Sequence, residues 1–196
     1  MSATSPVQPP RWAERVLALL LDAERRDDVL GDLLEEYREA IQPKRGASAA
    51  DRWYMRQVAG FLWQRTWLWS AVFSGAFLLR TAFDWFAPVD DFHARSTLST
   101  TIGVATLFAV AFFTARRARS VFAGPLAAIV TSQLAAVVSM IGVIALLVLR
   151  HDAQTWTAIQ ESGGLQEAIE LPFLMIIPAT VLGSAGGVAG KLLRHK

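Results

Sequence analysis

The sequence predicts an all-α membrane protein: a small cytoplasmic helical prefix followed by a four-helix transmembrane bundle, with both termini on the cytoplasmic side. Three observations carry this. The chain is 53% hydrophobic and 18% charged, where a soluble domain is about 45–50% apolar and about 25% charged. The charges are also sorted: of all the Asp, Glu, Lys and Arg residues, only Arg80 and Asp84 fall inside the windows 67–87, 97–114, 126–149 and 171–190. Finally, lysine and arginine are one-sided. All but Arg80, Arg95 and Arg150 lie in residues 1–66, in the Arg116–Arg117–Arg119 loop or in the C-terminal tail.

Residues 1–10 hold three prolines and little bulk, so disorder is expected there. Pro9-Pro10 suits the start of a helix. Trp12, Val16, Leu17, Leu20 and Leu21 then recur at helical spacing. A second helix is expected over 23–41. Val29, Leu30, Leu33, Leu34, Tyr37 and Ile41 form its apolar stripe, and Asp27, Asp28, Asp32, Glu35, Glu36 and Glu39 lie largely off it. Pro43 and Gly46 end it. Ser48 and Asp51 have the spacing of a capping box for a third helix. That helix mixes Arg52, Arg56 and Arg65 with Trp53, Tyr54, Phe61 and Trp63, a pattern suited to a membrane interface, and runs on into the first span. The domain boundary is set between 62 and 63.

Each window is long enough to cross a hydrocarbon core of about 30 Å as a helix. The runs are continuous rather than alternating, which argues against a β-barrel. The positive-inside rule puts the prefix, the arginine loop and the tail in the cytoplasm. The loops 88–96 and 150–170 then lie outside, with Trp85 and Phe86 at the outer edge of span one. The N-terminus has no basic region followed by an apolar core, unlike a secretory signal.

The segments GDLLEEY (residues 31–37) and RWYMRQV (residues 52–58) carry a resemblance. Together with PPRWAERVLALLL ahead of them, they resemble the permease prefix domain that precedes the membrane spans of bacterial ABC-type permeases of the MacB/FtsX kind. The likeness covers between a quarter and a third of the chain. It implies a bacterial cytoplasmic (inner) membrane and a link to transport, and it brings no functional residues with it. The chain departs from such permeases in its short outer loops, and it lacks the G-x-x-x-x-G-K-[ST] loop of an ATPase. The implied design is a prefix joined to a compact four-span unit.

Candidate functional residues fall into three groups. Asp28, Gly31, Asp32, Glu35, Glu36 and Tyr37 form a patterned surface for docking a partner. Arg80, Asp84, Arg150 and Glu170 are expected to meet as an outer-leaflet charge cluster, read as an ion-pair clamp between spans one and four ahead of a substrate or proton site. Gly183, Gly186, Gly187 and Gly190 make two overlapping G-x-x-x-G pairs, suited equally to packing within the bundle and to dimerisation. Pro172 and Pro178 are expected to kink the same span, and Ala128, Ser132, Ala136 and Met140 offer a face to receive it.

No catalytic, cofactor or metal constellation emerges. Asp27, Asp28 and Asp32 are spaced wrongly for a magnesium–diphosphate site and read as a solvated face. His93 and His151 are too few for a closed metal site. Cysteine is absent, and the net charge of +2 is too small to argue for nucleic acid. Arg116, Arg117 and Arg119 suit anionic lipid headgroups. The expected function is that of a non-enzymatic accessory or interaction protein whose partners are the bilayer, a permease or regulatory protein, or further copies of itself. A homo-oligomeric transporter or channel subunit is the alternative, and a membrane enzyme acting on lipid ranks below both.

Overall fold

A computed structural model describes residues 8–89, 91–149 and 153–193. Arg150, His151, Asp152 and the last three residues lie outside the described residues, as does most of the segment expected to be disordered. Among the described residues the chain is entirely helical.

The prefix starts with α1 (Arg11–Leu20), whose first turn hangs from the Pro10 carbonyl. Leu17, Leu20 and Leu21 point inward as the spacing predicts, but Trp12 is exposed and Ala13 takes the buried position beside it. After a short turn, α2 (Arg26–Glu35) passes into a π-helical stretch, Glu36–Ile41, and then into α3 (Gln42–Arg45). Pro43 therefore does not end the helix. The Gln42 N–H reaches five residues back to the Tyr37 carbonyl. This wider turn eases the clash that a proline ring makes with the carbonyl four residues before it. The stop comes at Gly46, with φ 78° and ψ 165°, a region essentially reserved for glycine.

Helix α4 (Ala47–Phe86) is 40 residues long, about 60 Å at 1.5 Å per residue. Gly46 is its N-cap and no side chain caps it, so the expected Ser48–Asp51 capping box does not form. Ala50, Tyr54 and Val58 join Leu17, Leu21 and Tyr37 in the prefix core, with Phe61 and Leu62 packed against it. Further along, Thr66, Ser70 and Ser74 are buried at the same four-residue step. Each such step overshoots a helical turn by about 40°. The buried stripe therefore winds around the rod and turns one face to the prefix and another to the bundle. The boundary expected at 62–63 falls in the middle of this unbroken helix.

The second body is made of α4, α5 (His93–Ala118), α6 (Ala123–Leu149), α7 (Ala153–Ser162), α8 (Gly164–Leu174) and α9 (Ile176–Leu192). Helices α5 and α6 pack against each other, with α4 on one side and α9 on the other. By length and hydropathy α5 and α6 can each cross a membrane, and the pair Thr155–Leu174 and Ile176–Leu192, bent by 54°, makes a third candidate. The window expected as span one is the second half of α4. Its hydropathy is lowered by Arg80, Asp84 and a series of hydroxyl residues. Thr66, Ser70, Ser74 and Thr81 each donate to the carbonyl four residues back, at 2.8–3.0 Å, which satisfies the hydroxyls inside an apolar bundle.

One loop expectation is corrected. The described part of the segment 150–170, expected as a loop, is mostly helical, in α7 and the first part of α8. Helix α7 covers Trp85, which is 1% exposed and donates to Ser162 Oγ at 3.2 Å. Trp85, expected at the outer edge of span one, is thus a core residue. The kink expected in window 171–190 is present. The helix breaks at Met175, between Pro172 and Pro178, each of which removes a backbone donor.

The glycines of α9 meet this chain's own backbone. A Cβ on Gly183 would lie 2.6 Å from Pro125 Cα, one on Gly186 2.6 Å from the Phe108 carbonyl and one on Gly187 2.6 Å from the Val121 carbonyl. One on Gly190 would collide with the Phe112 carbonyl. All four are used in packing α9 onto α5 and α6. Ala128 does receive Gly183 as expected, and Gly124 extends the receiving face.

Gly186→Ala or Gly187→Ala should destabilise the protein in detergent by about 1–3 kcal/mol, because the added methyl meets backbone that cannot yield. Gly60→Ala and Gly75→Ala, with open space at their Cβ positions, should be neutral or stabilise by up to about 1 kcal/mol. Thermal melts of the four variants check the contrast.

Candidate functional site

The docking group divides. Asp28, Gly31, Asp32, Glu35 and Glu36 are exposed, as are Asp27 and Glu39, and together they form an acidic face on the helix running from Arg26. Tyr37 is not part of it. Its ring is buried edge-on against Tyr54, with centroids 6.0 Å apart, and its hydroxyl donates to Asp51 at 2.7 Å. Burial, followed by this bond to a carboxylate, pushes the Tyr37 pKa up to about 12. Tyr54, buried and near Glu14, is shifted the same way. Both tyrosines are core residues that fix the π-helical stretch Glu36–Ile41 against α4, and the carboxylates around them are what a partner would meet.

The prefix does not hang free. Asp22 pairs with Arg65 at 2.6 Å, and Arg65 also donates to the Leu20 carbonyl at 3.0 Å. The Ala23 N–H donates to the Arg117 carbonyl at 3.2 Å, and Arg26 Nη2 donates to the Ala118 carbonyl at 2.6 Å. These carbonyls are C-terminal groups of α5, which have no partner within their own helix. A guanidinium at that end also complements the helix dipole. Arg119, at φ 56° in the left-handed region, turns the chain away after α5 and pairs with Glu24 at 3.1 Å. Nothing in the sequence flagged this junction, since Asp22, Glu24 and Arg26 look like solvated charges in a polar stretch.

The charge cluster forms with altered membership. Arg80 and Asp84 approach to 3.8 Å along α4. The expected partner on the last span, Glu170, instead accepts from Gln166 at 2.8 Å on the exposed side of α8. Its neighbour one turn earlier, Glu167, makes the ion pair with Arg80. Placing 164–174 in a helix explains the exchange: 167 and 170 sit at different angles, and only 167 faces α4. Arg150 lies outside the described residues. Arg95, at the start of α5, pairs with Asp84 at 3.3 Å and donates to the Ala87 carbonyl at 3.0 Å. Two arginines and two carboxylates thus tie α4, α5 and α8 together at one end of the bundle.

Beside this network is a cleft of about 410 Å³ between α4, α5 and the bent pair α8–α9. Arg80, Ser96, Ser99, Thr100 and Glu167 line its polar end. Phe73, Phe77, Leu107, Leu171 and Leu182 line the rest. Periodicity could not reveal this cleft, which depends on where α8 bends.

Two outcomes test these placements. Between pH 10 and about 12 the folded chain keeps a proton on Tyr37 that the unfolded chain loses, so stability should fall as pH rises through that window. Tyr37→Phe should lose about 1 kcal/mol at neutral pH and show a shallower fall in melting temperature above pH 10. A double-mutant cycle of Arg80→Gln and Glu167→Gln should give a coupling of about 0.5–3 kcal/mol. Glu170→Gln should stay within about 0.5 kcal/mol of wild type.

No family model, curated protein or solved structure matches the chain.

Proposed function

We propose that the chain is a non-enzymatic accessory protein of the bacterial inner membrane, with four spans and both termini in the cytoplasm. In this reading its prefix, of the permease prefix kind, docks a permease or a regulatory protein through the acidic face of Asp28, Asp32, Glu35 and Glu36. The observation that carries the reading is that this face stands on a helix held by two connections to the bundle: the unbroken α4 and the capped end of α5. A docking surface presented this way keeps a fixed orientation to the membrane helices, which suits an adaptor. The partner surface it fits is basic.

Topology follows from the one-sided arginines. The C-terminal half of α4 is taken as a span because it packs beside α5 and α6, with its ionised groups near one end and neutralised by partners. The glycines of α9, which would have favoured self-association, are used inside the chain. The transporter or channel alternative therefore draws no support from them.

Because the chain has no cysteine, single cysteines can be introduced without removing any. Cysteines at Ser48 and Arg116 should react with a membrane-impermeant maleimide only after cell lysis, and one at His93 in intact cells. For docking, photocrosslinkers at Asp28 and Glu35 in native membranes should capture one protein reproducibly. Asp28→Lys with Asp32→Lys should reduce that capture at least about tenfold while leaving the melting temperature unchanged. Crosslinks confined to further copies of this chain would replace the adaptor reading with the homo-oligomeric one.

A further inference from the structure

The cleft beside Arg80 calls for an occupant. Helices α4 and α9 share no extended contact, because α5 and α6 lie between them. The bend at Met175 packs α8 on α6, and the Arg80–Glu167 pair reaches across the gap from α8 to α4 at one end. Below that pair the gap remains, walled by aromatic and aliphatic side chains. At its rim Val104 is 44% exposed and Leu174 55% exposed, so the cleft opens sideways, toward the surroundings of α5 and α8. In a bilayer those surroundings are acyl chains. An apolar hollow left unfilled forfeits the dispersion contacts of every atom that lines it.

The dimensions fit one chain of one leaflet. From Ser96 at the polar end to Leu107 in the wall is eleven residues of α5, about 16 Å along the helix, and half of a hydrocarbon core of about 30 Å is about 15 Å. The polar end also has a distinctive charge pattern. Arg80 has a side chain only 9% exposed, and its Nε makes no hydrogen bond. Its other partners are Glu167 and, at 3.4 Å, Ser96 Oγ. Arg95 and Asp84 complete a set with no net charge. A positive and a negative group side by side complement a headgroup that carries both signs. An anionic headgroup offers a phosphate to the guanidinium but no cation to the carboxylate beside it. A phosphoethanolamine head offers a phosphate to the guanidinium and an ammonium, with hydrogens to donate, to the carboxylate.

We propose that the cleft between α4, α5 and the bent pair α8–α9 binds one zwitterionic phospholipid, with an acyl chain along Phe73, Phe77 and Leu182 and a phosphoethanolamine head on the Arg80–Glu167 pair. This site is separate from the acidic docking face and does not depend on which side of the membrane the prefix occupies.

The test uses the full chain in bilayer discs made of equal parts phosphatidylethanolamine and phosphatidylglycerol, followed by gentle release and native mass spectrometry of retained lipid. The expected result is one retained lipid, with phosphatidylethanolamine enriched about tenfold over phosphatidylglycerol. Glu167→Gln keeps the shape but removes the ammonium partner, and should bring the enrichment close to parity while one lipid stays bound. Val104→Trp with Leu182→Trp fills the apolar end without touching a charge, and should abolish retention. A wild-type protein that retains no lipid, or retains lipid in the proportions of the disc, overturns the proposal. A second measurement stands if the tryptophan variant does not fold. Phosphatidylethanolamine carrying a diazirine on its acyl chain should label wild-type residues 99–107 and 171–182 well above the open face of α6 at Ile141 and Ile144. Equal labelling of the two regions would show annular lipid only and would also overturn the site.

Discussion

A single unbroken helix belongs to two hydrophobic cores, and most of the architecture follows from that. The first half of α4 supplies Ala50, Tyr54 and Val58 to the prefix, and the second half supplies Phe73, Phe77 and Trp85 to the bundle. Since the buried stripe rotates along the rod, the two bodies do not compete for one face. A prefix of this size has a small apolar core for an independent domain. Sharing a helix with a larger body relieves it of that requirement, because the helix is ordered by packing at both ends.

The second connection works through backbone chemistry. A helix that ends at a membrane surface leaves carbonyls to be satisfied by water, by lipid headgroups or by protein. Here the turn after α1 and the start of α2 provide an amide and a guanidinium to the end of α5. The left-handed Arg119 directs the following chain away so that these donors can approach. The prefix is therefore both an appendage and the cap of a bundle helix.

Much of this was legible in the sequence because it rests on periodicity and charge sorting. The helical class, the inward faces of α1 and α2, and the role of Gly46 all come from local pattern. What escaped is what depends on distance in space. The sequence places Tyr37 both on the apolar stripe and on the recognition surface; the stripe prevails, and the Tyr37 ring seats the π-helical stretch on α4. Glu170 looked like the partner of Arg80 because it borders an apolar run, but the run begins inside an earlier helix whose phase selects Glu167. Pro43 looked like a terminator, and a π-helical stretch absorbed it. For Glu170 helix phase overrode position along the chain, and for Pro43 a wider helical turn did.

The length of α4 also has a mechanical side. A rod of about 60 Å that is fixed in the bundle acts as a pointer: a change of tilt of about 10° carries its far end about 10 Å sideways. Helices in bilayers retilt when hydrophobic thickness changes, at modest cost. With Gly46 as the only break between α3 and α4, and with Arg26 and Arg65 tying the prefix to the bundle, that sweep is not taken up by a flexible linker. A change in the tilt of α4 would carry the acidic surface of the prefix with it.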